Sequence, residues 1–255
     1  MKSCFLSSGR RMAGNLFRTL GCVFLAFGLL FAFLSPAAAQ DWTGGIDSDW
    51  NTAGNWSFPA AVPGAGDGAS IDNGTVGNAP VAGSGVTAVS NALFVGRTDA
   101  SGSGQSSLTI ENGGTVTTTG ITYIGYGVNS RGRITVDSAT SALTSGSIIY
   151  VGSSGEGELV LKNGGKATSG TGYSIYIGYD ANGRGTINVS DSGSALSSGA
   201  DINVGYMGGS MSYLNISGGG TATAVSDVII GTMSQGTVNV SGSGSALRSE
   251  YLHQL

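Results

Sequence analysis

The sequence predicts an all-β molecule, a right-handed parallel β-helix (solenoid) of about six coils with an N-terminal cap. Three observations predict it. A hydrophobic–glycine pair recurs as FVG (94–96), YIG (123–125), YVG (150–152), YIG (176–178), NVG (203–205) and IIG (229–231), with glycines 29, 27, 26, 27 and 26 residues apart. Between successive pairs lies a second β-prone triplet: LTI (108–110), ITV (134–136), LVL (159–161), INV (187–189), LNI (214–216) and VNV (238–240). The segment after that triplet alternates between two kinds. ENGGTV (111–116), KNGGKA (162–167) and SGGGTA (217–222) take turns with DSATSAL (137–143), SDSGSAL (190–196) and SGSGSAL (241–247), so the full period is a pair of units, about 53 residues. Self-similarity at a fixed period marks a stacked repeat, whose units bury their apolar faces only against one another. A β-propeller needs blades of roughly 40–45 residues with Trp-Asp signatures, and a sandwich does not repeat its sequence.

Residues 1–39 read as a signal peptide. Lys2, Arg10, Arg11 and Arg18 accompany the apolar run LGCVFLAFGLLFAFL (20–34), and Pro36 with Ala37, Ala38 and Ala39 offers cleavage after Ala39. The run is short of the roughly 20 residues of a membrane span; a retained anchor is the alternative, and Met12 an alternative start. Arg10–Arg11 fits a twin-arginine signal poorly, and Cys22 precedes the apolar run where a lipoprotein cysteine follows it. Residues 40–90 come next as a Trp-containing cap with a first β segment. Trp42, Trp50 and Trp56 read as a hydrophobic plug, because a solenoid needs its end covered, or as a ligand pocket.

Residues 91–255 form the array. Each unit of about 27 residues reads as three short strands and three corners. Leu108 and Ile110 point one way with Thr109 between them, the alternation of a strand with one buried face. Stacking the units sets Leu108, Ile134, Leu159, Ile187, Leu214 and Val238 in one interior column, and Val95, Ile124, Val151, Ile177, Val204 and Ile230 in a second. Val116, Ala167 and Ala222, or Leu143, Leu196 and Leu247, line the third face. The glycine runs at 113–114, 164–165 and 218–220 supply corner angles closed to residues with a Cβ, and Asn112 and Asn163 suit the same corners. Leu255 stands to Leu247 as Val204 stands to Leu196, so the chain reads as ending inside a strand. This is the expectation for a truncated protein or a fragment, with an open last coil able to pair with missing repeats or with other chains.

Charge and cysteine narrow the function. The whole chain carries 11 basic and 15 acidic residues; without the four leader cations the mature chain has a net charge of −8. Nothing in it supplies a phosphate-neutralising patch, so nucleic acid is excluded as a partner. Cys4 and Cys22 both leave with the leader, so neither disulfides nor thiolate metal sites hold the mature protein together. No cofactor or metal is expected, and the GGxGxD runs of calcium-binding rolls do not occur.

VGSSGEGELVLKNGG (151–165) and IGYDANGRGTINVSDSGSAL (177–196) resemble the repeats of the bacterial family that joins autotransporter (type V secretion) passengers to PEP-CTERM surface proteins. The opening DWTGGIDSDWNTAGNWSFPAAVPGAGDGASID (41–72), with its three tryptophans and the PGAGD turn (63–67), is similar to the segment found ahead of such arrays. The likeness covers nearly the whole mature chain. It implies a secreted β-helix of a Gram-negative bacterium, at the cell surface or outer membrane, non-catalytic and structural or adhesive. Autotransporters end in a barrel of alternating strands and PEP-CTERM proteins in a sorting tail; neither motif is present in this sequence.

Catalysis needs carboxylates close to each other and to a substrate. Asp137, Glu156, Glu158, Asp180, Asp191, Asp201 and Asp227 are scattered and build no acidic column in the aligned units, and His253 lies alone near the end. A solvated surface is the reading for these charges. A carbohydrate-active β-helix enzyme, a lyase or hydrolase, is the alternative, and three or more charged side chains converging in one groove would favour it. The residue before each inward Val or Ile should face outward, which gives Phe94, Tyr123, Tyr150 and Tyr176, then Asn203 and Ile229. Tyr126, Tyr179 and Tyr206 stand just past the glycines. In register these rings make an aromatic strip of about 5 Å per step. Such a strip either stabilises the sheet as cross-strand pairs do or contacts glycans, with surface glycans or a host-cell surface as partners.

Overall fold

The computed structural model describes residues 39–57, 60–74, 77–98, 104–207 and 211–254, and side chains up to residue 250. The leader lies outside the described residues, apart from Ala39. The chain winds into three sheets in which strands pair in parallel with those one coil before and one coil after, the end strands of each sheet on one side only. Sheet I has nine strands, from Ala39–Asp41 to Tyr251–Gln254. Sheet II has seven, from Val81–Ala82 to Gln235–Val240, and sheet III has seven, from Thr87–Ser90 to Ala246–Arg248. This is a parallel β-helix of about eight turns rather than six. The additional turns come from upstream of residue 91. Gly68–Ile71, Val81–Ala82 and Thr87–Ser90 pair with the array strand for strand, so much of the expected cap segment already forms rungs.

The three interior columns hold register throughout. Leu108, Ile134, Leu159, Ile187, Leu214 and Val238 are successive Cα partners in sheet II. Val95, Ile124, Val151, Ile177, Val204 and Ile230 are partners in sheet I. Ala88, Val116, Leu143, Ala167, Leu196, Ala222 and Leu247 succeed one another in sheet III. All are buried in one continuous core except Val238, Ile230 and Leu247 in the last coils, which are partly covered. A Cβ of fixed direction on each alternate residue makes the columns, and parallel pairing repeats them every coil.

The glycine of each hydrophobic–Gly pair has a physical reason. Gly152 lies at φ +73°, and a Cβ there would press into the backbone of Arg184 and Gly185 in the next coil. The chain leaves sheet I at this point with neighbouring turns in backbone contact, and only glycine fits.

The alternation of corners also has a cause. The amide of Gly113 donates to Ser141 Oγ (3.1 Å), Gly164 to Ser194 Oγ (2.9 Å) and Gly219 to Ser245 Oγ (3.0 Å). Each glycine corner is therefore bonded to the serine corner one coil on, and the true repeat is that bonded pair. The serine corners carry one extra residue, Ser138 at φ 102° and Asp191 at φ 72° in the first two.

At the N-terminal end Trp42, Trp50 and Trp56 are buried and join the same core. Trp56 meets Trp42 and Trp50 edge-on at 5.0 and 4.8 Å, and its Nε1–H donates to the Trp50 carbonyl (2.9 Å). Fully buried Asn55 ties the loop beneath them, accepting from the amides of Ile46 and Asp47 and donating to Asp47 Oδ1. That bond holds the Asp47 carboxyl below its ordinary range. At the other end Gln254 is the Cα partner of Ile230. The sequence places Leu255 in that column; Leu255 lies outside the described residues, and the last strand runs one residue ahead of the expected register.

Candidate functional site

The outward residues of sheet I assemble as the alternation requires. Phe94, Tyr123, Tyr150 and Tyr176 are register partners, and their rings stack face to face at 5.0, 5.1 and 5.3 Å with planes within 16°. A second file lies across the first. Tyr126 sets its edge against Phe94 and Tyr123, Tyr179 against Tyr150 and Tyr176, and Tyr206 against Tyr176 while stacking on Tyr179 at 5.4 Å. The Arg97 guanidinium caps the Phe94 end, 5.1 Å from the ring centroid. All seven aromatic residues singled out from the sequence therefore form one strip. Asn203, next in the column, is buried.

Along the first file the ring planes lie nearly parallel from one coil to the next, and the second file packs across them. Burial raises the phenol pKa of Tyr123, Tyr150 and Tyr176, that of Tyr150 to about 12, with the neighbouring phenols adding to it. Offset and edge-on aromatic contacts of this kind add about 0.5–1.5 kcal/mol each beyond burial.

Sheet II carries two polar ladders that sequence reasoning missed. Arg131 pairs with Glu156, Arg133 with Glu158 and Lys162 with Asp137, at 3.2, 3.2 and 3.1 Å, each pair directly opposite in register. Asn239 donates to Asn215 Oδ1 (2.8 Å), Asn215 to Asn188 Oδ1 (2.9 Å), and Asn188 to Glu158 Oε1 (3.3 Å). The signal was present in the middle Asn of INV, LNI and VNV. No cluster of His, Cys, Asp or Glu suited to a metal ion occurs among the described residues, and no described helix is long and apolar enough to cross a membrane.

One corner differs from its neighbours. The turn between Gly152 and Gly157 opens into a hollow of about 320 Å³ lined by Val128, Asn129, Arg131, Glu156, Asn182 and Arg184, with Ser154 and Gly155 as floor. Arg131, Glu156 and Arg184, scattered in sequence, converge here.

No protein-family model matches the chain, and no curated protein or solved structure is significantly similar to it.

Proposed function

We propose that the chain is an exported, non-catalytic β-helical scaffold of a Gram-negative bacterium, displayed at or released from the cell surface, that extends and presents. The observation that supports this best is that the exposed columns keep register as strictly as the buried ones. Aromatic, ion-pair and asparagine ladders all join a side chain to its counterpart one coil away. Such a surface favours length and stiffness, and the aromatic strip acts as a strut along sheet I. The leader-like residues 1–39 support export, and cleavage after Ala39 leaves Gln40 and Asp41 in their places on sheet I.

The test is expression of the full chain in a Gram-negative host, with sequencing of the mature N-terminus and antibody labelling of intact cells. Gln40 as first residue and labelling of cells or medium are expected; an uncleaved, cytoplasmic product sinks the reading.

A second reading has its own observation. Convergence of Arg131, Glu156 and Arg184 in one groove is what a carbohydrate-active β-helix would present. The groove lining holds one carboxylate, whereas glycoside hydrolysis ordinarily uses two. The set therefore favours holding a saccharide over cleaving one.

A further inference from the structure

We propose that the corner at residues 152–157 binds a saccharide, and that the bound residue is a carboxylated pyranose held by Arg184. This names a ligand class for the scaffold proposed above but does not depend on export or display.

The groove exists because of chain length. Four residues separate Gly152 from Gly157, whereas six separate Gly125 from Gly132 and Gly178 from Gly185. Gly132, Gly157 and Gly185 are Cα partners, so the three turns finish in register and the middle one falls short. Its neighbours stand above it on both sides. The floor is tightly built, since a Cβ on Gly155 would meet the carbonyls of Gly127 and Ser130. A second hollow of about 350 Å³ lies on the far side of Arg184, shares Glu156 with the first, and is walled by Thr186, Met211 and Tyr213. Each is at the small end of the roughly 300–1,000 Å³ of ligand pockets, a size suited to single sugar rings on either side of one guanidinium.

The lining selects the chemistry. Asn182 offers a planar donor and acceptor for adjacent hydroxyls, and the half-buried Tyr213 ring offers an apolar wall. Charge then picks the class. Glu156 is taken by Arg131 at 3.2 Å. Asp180, beside the rim, accepts from Ser154 Oγ at 3.0 Å and from the Ala181 amide at 2.7 Å. Exposed Arg184 has no carboxylate within ion-pair distance among the described residues. A guanidinium is the fork that carboxylates fit in bidentate fashion, and here it is the groove's unmatched charge on an otherwise acidic chain.

Calorimetric titration of the mature protein with trigalacturonate, sialyllactose and neutral galactotriose tests this. At least one acidic probe should bind saturably, about tenfold or more tighter than galactotriose, and be recovered intact; which one binds tells a uronate from a sialate. Arg184→Ala should weaken that binding by about tenfold or more. Replacing Ser153–Gly155 with a copy of residues 179–183 lengthens the turn to match its neighbours and should abolish binding with the circular dichroism spectrum unchanged. If that graft misfolds, Arg184→Ala decides alone. Failure of both acidic probes to bind, equal binding of galactotriose, undiminished binding by Arg184→Ala or by a folded graft, or cleavage of a probe would each overturn the assignment. None of these results bears on where the protein is exported, which is the test of the scaffold reading.

Discussion

Two glycines show what a single Cβ does in this molecule. Gly152 and Gly85 share a left-handed backbone, φ +73° and +78°, but a Cβ on Gly152 meets the next coil's main chain whereas one on Gly85 meets nothing. Gly85→Ala should cost about 1–2 kcal/mol, the left-handed penalty alone. Gly152→Ala should cost on the order of 3 kcal/mol or more, because the backbone of Arg184 cannot move without its own rungs. Urea denaturation of both variants measures the difference, and equal losses would refute the close-approach explanation. Ser194 is the polar counterpart. It is fully buried and accepts the Gly164 amide, so Ser194→Ala leaves a buried N–H unpaired, at a cost of about 1–3 kcal/mol. A similar denaturation curve reads it, and a loss within a few tenths of a kcal/mol would mean that another acceptor replaces the hydroxyl.

At the scale of the element, the aromatic ladder makes stability depend on pH in an unusual range. The phenols of Tyr123, Tyr150 and Tyr176 are raised in the folded chain, first by burial and then by neighbouring phenols. A raised acid contributes stability that is complete below its unfolded pKa and is lost as pH climbs through the folded one. The melting temperature should therefore hold up to pH 10 and fall between pH 10 and about 12, the limits set by Tyr150. Tyr150→Phe should flatten that fall, and tyrosinate absorbance should rise late; an ordinary titration of every tyrosine would exclude the ladder. This strip was legible in the sequence because the period of two places Tyr123, Tyr150 and Tyr176 outward once Ile124, Val151 and Ile177 face in. Its ring orientation was not, since stacking depends on rotamers that the pattern leaves free. The groove was hidden for another reason. It arises from a turn two residues shorter than its neighbours, and Arg131, Glu156 and Arg184 look like scattered surface charge until the Gly132–Gly157–Gly185 register lines them up.

For the whole molecule, the bonded pair of coils is the unit that matters. Stability in a stacked array is a sum of units and nearest-neighbour interfaces, but here the interfaces alternate in kind. Gly113 and Gly164 donate to Ser141 and Ser194 across glycine–serine boundaries, so coils of one kind cannot adjoin each other without loss. Two deletions separate this from a uniform stack. Removing residues 138–190 joins Asp137 to Asp191 and takes out 53 residues, one full pair, with the order of corners intact. Removing residues 126–152 takes out only 27 but sets the corner of Gly113 against that of Gly164, where no hydroxyl stands ready to accept the amide. In a uniform stack the larger deletion would be the more harmful. With alternating interfaces the shorter one is, by about 0.5–1.5 kcal/mol for the part-buried Gly113 N–H that loses its hydroxyl acceptor. Its melting temperature should lie several degrees below that of the longer deletion, which should stay close to the parent. The opposite order of melting temperatures would show that the serine bonds do not set the repeat.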